Sequence, residues 1–167
     1  MAQSKKTLSK SNLCRGAILI FISVGTTYRF EPLVKAIDQI APKIKEKIII
    51  QTGRSRYKPK NCGYFRFKPS LSPYIKKASL VIAHGGAGTT YEVLKSGKKL
   101  ISIDNPNVND SHQPDLLGQL SKEKYCLWCN DPQKIHDFII KSKKFKFRKY
   151  KSPSCKIHKR INEFLEN

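Results

Sequence analysis

Apolar residues in this chain come in short unbroken runs, and between the runs they recur with a helical period. Residues 17–24, "AILIFISV", carry no charge, Gly or Pro, which predicts a strand buried on both faces. Residues 30–41, "FEPLVKAIDQIA", set Leu33, Val34, Ile37, Ile40 and Ala41 at helical spacing, with Pro32 tolerated in the first turn. Further strands are predicted over 47–53, 64–69, 80–84, 99–104 and 125–129. A helix is predicted over 72–78, with Ser72 as its cap and Pro73 at its first position. Others are predicted over 88–96, closed by Gly97; over 112–123, interrupted by Pro114 and Gly118; and over 131–142, opened by Asp131 and Pro132. A last short helix is expected within 155–167.

Apolar strands alternating with helices are the pattern of a parallel sheet covered on both faces. The expected fold class is α/β, a Rossmann-like doubly wound parallel sheet. A length of 167 residues suits one such domain and hardly two. The expected organisation is a basic tail over 1–16, the α/β domain over 17–140, and a basic segment with a short helix over 141–167. Lys5, Lys6, Lys10 and Arg15 before the first apolar run loosely imitate a signal peptide, but that run ends in Gly25-Thr26-Thr27 without a cleavage pattern. No stretch approaches the roughly 18–20 apolar residues of a membrane span. The chain is therefore expected to be soluble, or peripheral at most.

Charge changes the picture more than composition does. Lys and Arg number 33 against 12 Asp and Glu, a net of +21, which favours polyanionic partners or phosphorylated ligands. The basic residues show no finger spacing, helix-turn-helix or aromatic nucleic-acid signature, so no nucleic acid is expected. Five cysteines at irregular spacing make no disulfide framework. The lone Cys126-Leu127-Trp128-Cys129 lacks the second pair a zinc ribbon needs, and reads as reduced, buried thiols.

The chemistry concentrates at "AHGGAGTTYE", where a strand stops at His84 and three glycines follow in four positions. Such a strand–loop–helix unit presents bare N–H groups and a helix dipole to an anion. Glycine admits close approach and permits positive φ. Gly85, Gly86 and Gly88 fit that role, with Thr89 and Thr90 adding hydroxyls. The spacing is neither a dinucleotide fingerprint nor a P-loop, and alone it could be a tight connection with no ligand. Glu92, one turn after Gly88, could accept from ribose hydroxyls. Asn109, Asp110, His112 and Gln113, after the next strand, suit sugar hydroxyls. Gly25-Thr26-Thr27 forms a third polar loop on the same edge. Together they describe a nucleotide-sugar site.

"FISVGTT", "IIIQTGRS", "ASLVIAHGGAGTTYEVLKSGKKLISI" and "NDSHQPDLLGQL" resemble the donor-binding C-terminal domain of family 28 glycosyltransferases, over about residues 18–140. The likeness is strongest to the two-chain UDP-N-acetylglucosamine transferases within that family. It implies one half of a GT-B enzyme. His84, Gly85, Gly86, Ala87, Gly88 and Thr89 then match the diphosphate loop, with Gly25 and Thr26 facing it. Glu92 matches the ribose-binding glutamate, and Asn109, His112 and Gln113 lie by the donor sugar. His84 and His112 are the catalytic candidates, although each suits a positioning role better and the general base could lie on a partner. The implied chemistry is an inverting sugar transfer from a UDP-sugar to a lipid-linked acceptor, with no cofactor and no metal. The implied partner is a membrane-anchored, acceptor-binding subunit that holds this chain at the cytosolic face of a membrane. Pro114 and the basic C-terminus depart from the family pattern. The rival readings are a nucleic-acid- or polyanion-binding module, on the net charge, and a noncatalytic scaffold of the same fold.

Overall fold

A computed structural model describes residues 18–106, 108, 112–154, 161, 164 and 165. Six strands form one all-parallel sheet: β1 (Leu19–Ser23), β2 (Lys47–Gln51), β3 (Gly63–Phe65), β4 (Ala78–His84), β5 (Lys99–Ile103) and β6 (Leu127–Cys129). Their order across the sheet is β3-β2-β1-β4-β5-β6. Among the elements bounded within the described residues, four helices link the strands, α1 (Glu31–Ile40), α2 (Ser72–Lys77), α3 (Ala87–Lys95) and α4 (His112–Lys122), and α5 (Ile135–Lys144) follows the last strand. Val34 and Ile37 of α1 and Ile135 and Ile139 of α5 pack with Ile20, Ile22, Ile82 and Ile101 on one face. Ile75 of α2, Val93 and Leu94 of α3 and Leu120 of α4 pack with Phe21, Val81 and Leu100 on the other. This is the doubly wound fold that the apolar runs predict. Among the described residues no helix is long and apolar enough to cross a membrane.

Several boundaries differ from expectation, each for a local reason. Helix α4 runs unbroken through Pro114 and Gly118. Pro114 falls in the first turn, where its missing N–H has no intrahelical partner to lose. Gly118 faces the Trp128 ring, 3.6 Å from where its Cβ would lie. The same helix ends in a Schellman turn: Tyr125 N donates to Leu120 O and Lys124 N to Ser121 O, with Lys124 at φ 63° in the place glycine usually takes. That turn uses Tyr125, so the last strand starts at Leu127 instead of residue 125. Ser72 is the first residue of α2 and not its cap; its N–H donates to Ser70 Oγ at 3.3 Å. Asp131 does cap, accepting from Gln133 N at 2.9 Å, but it opens a short 3-10 turn (Pro132–Lys134) that leads into α5.

The expected break at residue 140 falls inside α5, and the basic segment beyond is anchored by its aromatics. Phe145 and Phe147 pack against the α1/α5 core, whereas Tyr150 meets Tyr91 and Tyr125 on the opposite face. Arg148 N donates to Lys124 O at 2.9 Å, and the Arg148 guanidinium lies over the Tyr125 ring. Lys143 pairs with Glu46 at 2.7 Å. The tail over 1–16 and the helix expected within 155–167 lie outside the described residues, apart from exposed Ile161, Phe164 and Leu165. Cys126 and Cys129 are free and buried, and burial pushes the Cys126 thiol up to about 12, so it is inert.

Candidate functional site

Strands β1 and β4 are neighbours, yet the helices that follow them leave to opposite faces of the sheet. The winding reverses at the carboxyl ends of these two strands, the place where open α/β sheets bind ligands. The loop after β1, with Gly25, and the loop after β4, with Gly86, both pack against the His84 ring. The His84 ring sits between them. A Cβ on Gly25 would lie 2.7 Å from His84 Nε2, and one on Gly86 would lie 2.6 Å from the same atom. Both glycines are thus required to make room for an imidazole. Gly25 also takes a positive φ of 76°. Burial pulls His84 below its ordinary pKa, with the Ser23 backbone pulling the other way, while Nδ1 closes no hydrogen bond of good geometry. The ring is neutral at pH 7.

The glycines after His84 divide into two kinds. A Cβ on Gly85 would lie 2.7 Å from Leu117 Cδ1 and 3.1 Å from Gln113 Oε1, so Gly85 seats the start of α4 on the end of β4. Its N–H donates to Ile103 O at 2.9 Å, and Gly86 N donates to His84 O at 2.6 Å. Neither N–H faces outward unused, and neither residue takes a positive φ. Gly88 differs: nothing lies within 4 Å of the place a Cβ would take. Ala87, Gly88 and Thr89 form the first turn of α3, where backbone N–H groups have no intrahelical acceptor. The cap residue Gly86 offers no side-chain oxygen, and the turn holds no acidic residue. The bare donors therefore lie one step later than the glycine spacing suggests.

Other expected residues are distributed along the same edge. Thr26 is exposed, Thr89 half-buried, and Glu92 exposed further along α3. Gln113 reaches Gly85, and His112 is the first residue of α4; Asn109 lies outside the described residues. Two supporting residues were not singled out from the sequence. Gly53, at φ 54°, lies so close to Gly25 O that any Cβ would collide with it, which locks the loops after β1 and β2 together. Its signal was a glycine just past an apolar run, as at Gly25. Buried Asn105 donates through Nδ2 to Arg29 O at 3.1 Å and ties the loop after β5 to the loop after β1. No cluster of three or more potential metal ligands occurs among the described residues.

A 321456 strand order with a glycine loop at the switch point defines the class, a Rossmann-like domain of the kind that forms half of GT-B glycosyltransferases. The chain belongs to glycosyltransferase family 28: residues 19–165 match the family 28 C-terminal domain. It is 35% identical over 125 residues to the human UDP-N-acetylglucosamine transferase subunit ALG13, covering 66% of this chain and 11% of that protein. It is 25% identical over 133 residues to the Yarrowia lipolytica subunit of the same name, covering 71% of this chain and 68% of that one. The chain spans about a tenth of the length of the human and mouse relatives, at 11% and 10%. An NMR structure of ALG13 superposes with a TM-score of 0.61 at 17% identity, over 87% of this chain and 94% of that one. The crystal structure of MurG from Acinetobacter baumannii gives 0.59 at 18% identity, over 77% of this chain and 43% of that one.

Proposed function

We propose that this chain is the donor-binding half of a UDP-sugar-dependent glycosyltransferase, with N-acetylglucosamine the sugar that its relatives' names favour. The observation that carries this reading is the first turn of α3: three N–H groups, no acid, and open space over Gly88 at the switch point. A diphosphate laid there meets backbone donors and the positive end of a helix dipole. The same donors stabilise negative charge as the UDP leaving group departs. Glu92 is assigned to the ribose, and Gln113 and His112 to the sugar, with Asn109 near them. Neutral His84 holds the loops after β1 and β4 at a fixed separation, which is a positioning role. The acceptor hydroxyl attacks the anomeric carbon in line and inverts it, and the base that takes its proton belongs to the other half. The relatives are named as subunits, which supports an acceptor-binding partner chain. In this reading the partner is membrane-anchored, the acceptor is lipid-diphosphate-linked, and this chain is peripheral on the cytosolic face.

The test is calorimetric titration of the chain with a panel of UDP-sugars, alone and after Glu92→Ala. Binding of UDP-N-acetylglucosamine is expected, and Glu92→Ala should weaken it by about 1.5–3 kcal/mol, the scale of hydrogen bonds to a charged group. A chain that binds heparin tightly but no UDP-sugar would instead support the polyanion-binding reading.

A further inference from the structure

Among the described residues, β3 is the outermost strand on its side of the sheet and pairs only with β2. From Arg54 to Lys77, a stretch that includes this free edge, the chain carries eight Lys and Arg and no Asp or Glu. Two aromatic rings stand out on it. Tyr64 is 37% exposed and Phe67 is 67% exposed, with Arg66 and Lys68 on either side of Phe67. Phe65 turns inward instead and packs against Phe21 and Tyr74.

The display is rigid. Thr52 N donates to Phe65 O at 2.8 Å and Gly53 N to Arg66 O at 3.1 Å, which carries the pairing of β2 with β3 past the end of both strands. Arg66 Nε returns a bond to Gly53 O at 3.3 Å. The loop before β3 is tied to α1 through Asp38, which accepts from Tyr57 Oη and from the N–H groups of Lys60 and Asn61. Phe67 therefore stands at the carboxyl corner of the sheet, on the edge where Gly53 packs on Gly25.

Charge alone is enough to keep a free edge from pairing with another strand. An exposed phenylalanine serves no such purpose. The basic segment after α5 is the contrasting case: its Phe145, Phe147 and Tyr150 are packed against the two cores and hold the segment down. At the β3 edge the ring faces water among cations. That combination suits an anionic bilayer surface, where a ring enters the boundary of the acyl chains and cations meet the headgroups.

We propose that the β3 edge docks directly on an anionic lipid surface, with Phe67 as its apolar anchor and the cations of residues 54–68 against the headgroups. The proposal rests on the membrane reading above and deepens it. This chain touches the bilayer itself, at a corner that brings the donor edge towards a lipid-linked acceptor, and is not held there by its partner alone.

The experiment is co-sedimentation of the chain with phosphatidylcholine vesicles, with and without phosphatidylserine, at about 0.15 M salt, where exposed charges are screened beyond about 8 Å. The parent is expected to pellet with the acidic vesicles and not with the neutral ones. Phe67→Ser, which leaves the charge unchanged, should weaken pelleting by at least about tenfold, the scale of burying one such side chain. Lys58→Gln/Lys68→Gln should weaken it by about fivefold or more. Two controls should match the parent: Ile140→Ser, which removes an exposed apolar side chain from α5, and Lys95→Gln/Lys99→Gln, which removes the same charge at the end of α3 and the start of β5. Phe67→Trp should shift its emission to the blue on acidic vesicles and be quenched by brominated acyl chains, over the constant background of Trp128, which is bonded to Asp104. A Phe67→Ser chain that pellets like the parent would overturn the proposal. So would equal losses in either control, which would signify bulk charge or general adsorption. A parent that ignores acidic vesicles would overturn it and leave the edge to a protein. Tight binding of single-stranded RNA, lost in the same variants, would replace the bilayer with a nucleic acid. UDP binding is measured on every variant and should equal the parent's, since none of these residues belongs to the donor turn. Its absence in the parent would defeat the donor reading and leave the vesicle result standing.

Discussion

Two helices begin at the carboxyl edge within a loop's width of each other, and their first turns are furnished in opposite ways. Helix α3 offers bare backbone: a glycine cap, no acid in the first turn, and no side chain over Gly88. Helix α1 begins with Glu31 and Pro32, so its first turn carries a carboxylate and lacks one N–H. Its positive charge comes instead from Arg29 and Arg54 beside it. Backbone donors are fixed by the fold and read a phosphate at short range. Guanidinium groups are exposed, and their attraction is screened by salt. The difference teaches that two helix starts on one edge can be opposite in kind: the first turn of α3 is left open, and that of α1 is closed by its own acid and proline.

The comparison can be broken first on the α1 side. Buried Asp38 of α1 holds the loop that follows β2: it accepts from Tyr57 Oη at 2.7 Å, Lys60 N at 3.0 Å and Asn61 N at 2.7 Å. Asp38→Ala removes the shared acceptor of those donors, which sit on half-buried Tyr57 and exposed Lys60 and Asn61, and should cost about 2–4 kcal/mol, since a hydrogen bond to a charged group contributes about 1.5–3 before its donor turns to water. Urea denaturation measures it. Burial alone would raise the carboxyl's pKa, but the Lys60, Asn61, Tyr57 and Cys62 bonds together hold it below the ordinary value. Its contribution is therefore whole above the ordinary carboxylate pKa of about 3.9 and is lost as pH falls through the folded value. Hydrogen exchange at Lys60 and Asn61 should speed up in that window before exchange at Val93 does.

On the α3 side, Gly86→Val drives a branched side chain into the His84 ring. The expected cost is about 1–3 kcal/mol of stability from overpacking, read by thermal melting, together with loss of UDP binding.

The smallest effect expected on donor binding comes from the basic segment. Lys143 is paired with Glu46, whose carboxyl it holds below the ordinary value, so its removal would mix a folding effect with a charge effect. Lys144→Gln/Lys146→Gln/Lys149→Gln avoids this, since all three are exposed. It should leave UDP affinity unchanged and reduce pelleting with acidic vesicles at low salt, at up to about 1 kcal/mol per residue. Equal pelleting of parent and variant would remove this segment from any membrane role.

The sheet was legible because buried strands leave long apolar runs, and five of the helices follow from period and proline position. Less legible was anything fixed by contact between distant segments. Lys124 in a left-handed turn reads as an ordinary surface lysine, and only the Leu120–Tyr125 closure shows otherwise. The glycine cluster was visible, but its division was not. Sequence spacing cannot tell that Gly85 answers to Leu117 and Gly86 to His84, since the first partner is more than thirty positions away. Asn105 in a polar loop looks solvated, yet it is buried and holds Arg29 from seventy-six positions away.

The central claim is that the open turn of α3 receives the donor's diphosphate, and Gly88→Val tests it most directly. Among the described residues, nothing outside its own stretch of helix lies within 4 Å of the new Cβ, so the substitution meets no neighbouring element, and valine is a better helix former than glycine by a few tenths of a kcal/mol. The account predicts an unchanged or slightly raised melting temperature with UDP binding weakened by about 2–3 kcal/mol, the scale of lost charge-assisted hydrogen bonds. A folded Gly88→Val chain that binds UDP as tightly as the parent would contradict it.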